Sequence, residues 1–327
     1  MIKEQSTTQP FNYILTAREL GTLTGQSTRE ILHHFDHQEC INISGGLVGI
    51  PPQQVKKHLS ARGVDYSFSV VAHINLKGGV GKTISSITAA TRAVQYGFNT
   101  CLLDMDSQGS ASLAFGIIPD EEAPVFCDVW QRPSEMVKDS LIHITDHLSL
   151  LPSSLENGLL DVHLMNPASQ KHAVRGVCDV LQAHEFDLVI IDCPPSLGAA
   201  VISTICAADT IVIPVCGDSF SLKGLKLTLS EITSICEVFH LTQPTIHILY
   251  TKFDRRLKIS RETFQQLSAM YHNLLIPGPI RTSSKYTNAL AKQETIFATT
   301  RKSLAREDYD NYVRYLLGVD HALQKGG

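Results

Sequence analysis

Seven apolar runs mark the chain, most of them far enough apart to leave room for a helix. FSVVAHI (68–74), NTCLLD (99–104), HLSLLPSS (147–154), DLVIID (187–192), DTIVIPV (209–215), TIHILYTKF (245–253) and LLIPGPI (274–280) are short and rich in branched side chains. Runs without polar alternation read as strands buried on both faces. The intervening segments repeat apolar residues at helical spacing, as in ISSITAATRAVQYG, LENGLLDVHLM, KHAVRGVCDVLQAH and SFSLKGLKLTLSEITSICEVF. Strands alternating with helices predict an α/β fold with a mostly parallel, doubly wound sheet. Ligands then bind at the carboxyl ends of the strands. Residues 117–147, rich in proline and acidic side chains, read as irregular surface elaboration.

The pattern before residue 65 is different. The first ten residues are polar and are expected to be loose. LTARELGTLTGQSTREIL (15–32) gives two short helices about Gly21–Gly25. Thr16 with Glu19, and Ser27 with Glu30, each have the spacing of a capping box. CINISGGLVGI (40–50) reads as a hairpin about Ser44-Gly45-Gly46, and Pro51-Pro52 opens a third helix. The chain is therefore expected to divide into residues 1–64, a small α-helical module of helix-turn-helix-like or winged-helix-like form, and residues 65–327, the main P-loop domain. Such a module either reads DNA or docks on protein.

Composition narrows the class. At 43% hydrophobic and 18% charged residues, the 327-residue chain is expected to be an ordinary cytoplasmic globular protein. No run reaches the roughly 18 apolar residues of a membrane span, and no signal-peptide pattern is present. The net charge of −4 gives no overall basic field, so DNA contact requires a local basic patch. The eight cysteines form no C-x-x-C pair, which excludes the usual zinc and redox motifs.

The chemistry concentrates in LKGGVGKT, 76–83. Gly78, Gly79 and Gly81 allow backbone conformations that turn successive N–H groups toward phosphate oxygens. The helix that follows presents its positive end to the same place. Lys82 supplies a charge to the β- and γ-phosphates, and the Thr83 hydroxyl a ligand for Mg²⁺. The nucleotide cradle is thus Lys77, Gly78, Gly79, Val80, Gly81, Lys82, Thr83 and Ile84. About 110 residues on, DLVIIDCPPSLG delivers Asp192 at a strand end, where a carboxylate binds Mg²⁺ directly or through water. Asp104 and Asp106 end the second strand, Asp104 in the loop or metal shell. A nucleotide and Mg²⁺ are the expected cofactors, the nucleotide being ATP by the resemblance that follows.

Leu76 stands where the strict P-loop pattern has its first glycine, and Lys77 directly precedes the glycines. Strand, KGGVGKT and helix together resemble the deviant Walker A loop of the ParA/MinD family of ATPases. The resemblance spans about residues 68–300 and includes DMDSQG, IIDCPPSLG, PVCGDSFSLKGL and IPGPIRTSSKYTNALAKQETIFA. It implies an ATP-dependent sandwich homodimer in which Lys77 reaches the partner's nucleotide. It makes Lys77, Lys82 and Asp106 the catalytic set, Asp106 bearing on the attacking water, with Ser107 where the family commonly has proline. By motif position Arg256 and Arg281 resemble the family's DNA-contacting arginines, with Arg255 and Lys285 beside them. The function implied is DNA partition, plasmid or chromosomal, with non-specific DNA binding on the nucleoid and hydrolysis stimulated by a ParB-like partner. Positioning of a protein cargo and ATP-responsive repression through residues 11–63 are the alternatives. The tail EDYDNYVRYLLGVDHALQKGG lacks the basic, aromatic face of a membrane-targeting helix, so no membrane partner is expected.

Overall fold

The computed structural model describes residues 13–325 apart from 37, 44, 121, 219 and 220. The first ten residues, the hairpin-tip Ser44, and Ser219-Phe220 therefore lie outside the described residues.

The chain opens with β1 (Leu15–Thr16), α1 (Ala17–Thr24) and α2 (Thr28–His33). Both predicted capping boxes form: Thr16 and Glu19 close the start of α1, and Ser27 and Glu30 that of α2. Each satisfies amide donors that a helix start leaves orphaned. Gly25 ends α1 in the left-handed conformation, which makes the turn between the two helices. β2 (Ile41–Ile43) and β3 (Leu47–Ile50) form the expected hairpin, and β1 adds to it, giving a three-stranded antiparallel sheet in the order β1-β3-β2. α3 (Pro52–Ser60) starts at the predicted proline pair. The exposed face of α2 sets Arg29 against Glu30, so it carries little net positive charge.

The main sheet has seven strands: β4 (Ser69–His73), β5 (Thr100–Asp104), β6 (Ile142–Thr145), β7 (Leu148–Leu151), β8 (Leu188–Asp192), β9 (Thr210–Cys216) and β10 (Thr245–Thr251). Their order is β10-β9-β4-β8-β5-β7-β6, and every neighbouring pair is parallel except β6 with β7. The helices are α4 (Lys82–Gln95), α5 (Ser110–Ala114), α6 (Phe126–Val129), α7 (Pro133–Ser140), α8 (Leu160–His163), α9 (Pro167–Ala183), α10 (Ala199–Ala207), α11 (Ser221–Val238), α12 (Lys258–Met270), α13 (Ser284–Leu290), α14 (Leu304–Leu316) and α15 (Val319–Lys325). A short 3₁₀ segment, Leu155–Leu159, precedes α8. The doubly wound α/β fold predicted from the apolar runs is the fold observed.

Two readings need correction. The run 274–280 is not a strand: it touches β10 only through isolated bridges, Ile248 to Leu275 and Phe253 to Arg281. Pro277 and Pro279 have no N–H to donate to a ladder, and Gly278 between them takes a φ of +84°. The stretch 117–147 is not irregular, since it holds α6, α7 and β6. Its Val125, Phe126, Val129 and Val137 are fully buried, an apolar set masked by the acidic and proline residues around it.

Each sheet face carries its own core. One lies under α6, α7, α9, α10 and α11, and includes Val70, Leu103, Val177, Ile191 and Ile213. The other gathers Val71, Ile87, Leu102, Ile190, Tyr309 and Tyr312, and runs without a break into Leu15, Leu20, Ile31, Val55 and Leu59 of the N-terminal module. The contact is close at Gly97, whose φ is +91° and where a Cβ would lie 2.6 Å from Lys56 N. Only glycine fits there. Charge reinforces the join: Lys56 Nζ donates to both Asp187 oxygens at 2.8 and 2.7 Å. Glu19 Oε1 meets Arg306 at 2.5 Å and Arg92 at 3.5 Å.

Candidate nucleotide site

The site forms where β4, β5, β8, β9 and β10 end. β4 delivers the loop 74–81, and α4 begins at Lys82 behind Gly81, which is left-handed at φ +93° as is Gly79 at +71°. Asn75 shapes the entry: its Nδ2 donates to Pro214 O at 2.7 Å, while its Oδ1 accepts from Lys77 N at 2.9 Å. Gly78 and Gly79 are exposed, and Val80 is buried beneath the loop. Ile84 is half-buried and packs its side chain into the second core, which leaves its backbone to the cradle.

The two lysines have different surroundings. Lys82 is buried, its Nζ donating to Lys77 O at 3.2 Å. Burial lowers its pKa below the ordinary lysine value, against the opposing pull of Asp192 and Asp106. Lys77 is half-exposed and its ammonium is paired with Asp218, in the loop after β9. The motif gave no sign of Asp218, although it lies within the PVCGDSFSLKGL segment.

β5 and β8 pair so that Asp104 and Asp192 stand side by side. Both carboxyls have raised pKa values, with burial the main cause; the facing Asp104 adds to it for Asp192, and the nearby Asp106 for Asp104. Asp104 turns to its own loop, with Oδ2 accepting from Ser112 N and Oγ, both at 2.8 Å. Asp192 accepts from Ser86 Oγ at 3.0 Å through Oδ1. Its Oδ2 is buried and, among the described residues, has no hydrogen-bond partner. The hydroxyls of Thr83 and Ser86, and then Lys82, favour the ionised form of Asp192. An orphaned, buried carboxylate oxygen beside a P-loop threonine suits a divalent cation. Among the described residues no cluster of three or more His, Cys, Asp or Glu could hold a metal by itself. That fits magnesium, which takes one or two carboxylates and completes its shell with phosphates and water.

Asp106 sits in a loop held from both sides. Its carboxylate accepts from Gln108 N at 3.0 Å, and its backbone carbonyl accepts from Ser153 Oγ at 2.6 Å. Asn157 Nδ2 donates to Ser153 Oγ at 2.8 Å and Asp104 O at 3.4 Å. Ser112, Ser153 and Asn157 were not legible as site residues, because their role depends on contacts 41 and 53 positions apart.

The four cations expected at DNA divide into two groups. Arg255 and Lys285 are exposed. Arg256 is also exposed but folds back on Asp254, with Nη2 2.7 Å from Oδ2. Arg281 is engaged by α14: its N and Nε donate to Asp308 Oδ2, both at 2.9 Å, and Nη2 contacts Glu307 at 3.3 Å.

A parallel sheet with a glycine-rich loop leading into a helix, a buried lysine, and a carboxylate opposite the loop's threonine define a P-loop nucleotide hydrolase. The AAA domain family matches residues 68–248, more than half of the chain, and the chain belongs to it, as an ATPase of the ParA/MinD type. It is 28% identical to the cell division protein PomZ of Myxococcus xanthus over 244 residues, 75% of this chain and 76% of PomZ. It is 29% identical to the chromosome partitioning protein ParA of the same organism over 222 residues, 65% of this chain and 77% of that protein. Among solved structures, a cobyrinic acid a,c-diamide synthase from Mycobacterium smegmatis, with bound ATP analogue and magnesium, superposes with a TM-score of 0.64 at 25% identity. The match covers 76% of this chain and 94% of that one.

Proposed function

We propose that this chain is a ParA-type ATPase that uses ATP and Mg²⁺ to switch a homodimer between DNA-bound and free states. Partition of a plasmid or chromosome would be its task, with positioning of a protein cargo as the alternative. The observation that carries the reading is the buried, unpartnered Asp192 Oδ2 beside Thr83, at the mouth of a loop flanked by two lysines with different surroundings. The likeness to ParA and PomZ supports a positioning ATPase.

In this reading the loop amides of residues 78–84 receive the phosphates, and Lys82 supplies fixed charge from a site already dry. Thr83 and Asp192 would hold the cation, which when bound would neutralise phosphate charge. Asp104 anchors the switch loop through Ser112 and stands next to that shell. Asp106 orients the attacking water. Lys77 leaves Asp218 for the phosphates of the second protomer, so the site is complete only in the dimer. A ParB-like protein would trigger hydrolysis. No helix among the described residues is long and apolar enough to cross a membrane.

DNA contact falls to Arg255, Arg256, Arg281 and Lys285. Arg255 and Lys285 are available as they stand, whereas phosphate must displace Asp254 from Arg256 and Asp308 from Arg281. The test is binding of a random-sequence duplex with ATP, with ADP and without nucleotide, over a salt series. Binding confined to ATP, with log K falling linearly in log salt by roughly 0.9 per phosphate contacted, is expected. Arg255→Ala should lower that slope more than Arg281→Ala. Equal binding in all three nucleotide states, or none, overturns the proposal.

A further inference from the structure

The end of β10 lies against the outer face of the phosphate loop. Thr251 Oγ1 donates to Val80 O at 2.6 Å, and Lys252 Nζ donates to Gly79 O at 2.6 Å. No peptide bond among the described residues is cis. In a trans peptide the C=O and N–H point in opposite directions. A Gly79 carbonyl turned outward to Lys252 therefore turns the N–H of Val80 inward. A Val80 carbonyl turned outward to Thr251 likewise turns the N–H of Gly81 inward. On the reading of this loop as the phosphate cradle, those two amides are the ones left to the phosphates.

The backbone of Lys252 is unusual. Its φ is +53°, in the left-handed region where a residue with a Cβ is disfavoured. Such conformations persist where the surroundings over-determine them, and they gather at ligand sites. Here the neighbours on both sides are fixed. Thr251 is buried against the loop, and Phe253 N donates to Ile280 O at 2.9 Å. Lys252 itself is exposed, so apolar burial does not explain its placement. The strained backbone instead aims an ammonium at a single loop carbonyl.

We propose that Lys252 is a positioning residue for nucleotide binding. It locks the Gly79–Val80 peptide with its N–H toward the phosphates and adds a positive charge at the loop's rim. The inference rests on the reading of residues 77–84 as the nucleotide cradle. Both effects act on any bound di- or triphosphate, so they belong to binding common to ground and transition states.

The test uses the full chain and fluorescent ATP and ADP with magnesium. Lys252→Asn removes the ammonium but keeps a residue that tolerates positive φ. Lys252→Arg retains charge and donor. The expected result is about tenfold weaker binding of both nucleotides to Lys252→Asn, with KM raised and kcat unchanged. Its unfolding midpoint without nucleotide should be equal to or above that of the parent, and Lys252→Arg should recover affinity to within about threefold. Binding by Lys252→Asn within twofold of the parent overturns the proposal. So does a loss of affinity matched by a lower nucleotide-free midpoint, which marks a structural role. A parent chain that binds neither nucleotide refutes the cradle itself and is distinguishable from both results.

Discussion

Lys77→Ala separates two roles that one side chain could play. In the free chain the ammonium is paired with Asp218, and the two side chains are 38% and 35% exposed. An ion pair so open to water contributes at most about 1 kcal/mol. Removing Lys77 should therefore lower the unfolding midpoint by no more than about 2 °C. If Lys77 instead reaches the partner's phosphates, each dimer loses two charge-assisted hydrogen bonds of roughly 1.5–3 kcal/mol. The sum, about 3–6 kcal/mol, weakens dimerisation by a factor of roughly 10²–10⁴. Folding and assembly thus differ by orders of magnitude in their response.

Sedimentation velocity with ATP and magnesium measures the assembly, best in an Asp106→Ala background that slows turnover. Lys77→Ala should remain monomeric at protein concentrations where its parent is dimeric. A variant that dimerises within threefold of its parent refutes the assignment of Lys77 to the partner's site. Asp218→Asn is the companion. Releasing the ammonium from its partner in each of the two chains should ease dimerisation by up to about thirtyfold, the equivalent of about 2 kcal/mol per dimer.

Three further outcomes follow from buried charge. Asp192→Asn removes one of two facing carboxyls, so the metal-free chain should melt higher, by an increment of about 1–3 kcal/mol, while magnesium-dependent stabilisation by nucleotide disappears in a thermal-shift assay. Glu19→Ala leaves Arg306 with carbonyl partners and Arg92 with Asp310, both guanidiniums being buried. A loss of about 3 kcal/mol, or roughly 5 °C, is expected by calorimetry, and less for Glu19→Gln, which keeps the cap. His73 is fully buried, and burial lowers its pKa to about 3, well below the unfolded value near 6.5. The unfolded chain then binds the extra proton, so stability is complete above the unfolded pKa and declines as pH falls below it. This histidine should account for about 2 kcal/mol lost between pH 7 and 5 in urea titrations, and His73→Gln should remove that share.

What the sequence disclosed was local. The six apolar runs that became strands, the Thr16–Glu19 and Ser27–Glu30 caps, and the loop 76–83 all depend on neighbours within a few positions. Residues 274–280 misled because an apolar run was read without asking where Pro277 and Pro279 would find ladder partners. Residues 117–147 misled in the opposite sense, since Phe126 and Val129 are spaced for one buried helical turn within a polar stretch. Ser112, Asn157 and Lys252 carry no motif, and the segment that contains Asp218 gave it no role. Each acts through a contact with a segment remote in sequence, 141 positions away for Asp218 and 173 for Lys252. Only the fold brings those segments together.

The same long-range contacts make the N-terminal module more than an appendage. α4 begins at the phosphate loop, and ten residues later, about 15 Å along its axis, it presents Arg92. Arg92 donates to Asp310 of α14 at 2.7 Å, pairs with Glu19 of α1, and stacks on Phe297 with its guanidinium 4.8 Å from the ring centre. Arg306 covers the same ring at 4.7 Å and also binds Glu19. One carboxylate from the module therefore pairs with two guanidiniums, one on the helix that follows the glycine-rich loop and one on the helix that holds Arg281 through Asp308. Glu19 keeps a depressed pKa there: burial opposes ionisation, but the two arginines together with the hydrogen bonds from Thr16 outweigh it. A shift of α4 on nucleotide binding must either carry α1 with it or break a buried pair. If the Arg92–Glu19 contact opens, Arg92 keeps Asp310 and Glu19 keeps Arg306, so the cost falls below the roughly 3–5 kcal/mol of stripping a buried charge of every partner, and module and phosphate loop are coupled without being locked together.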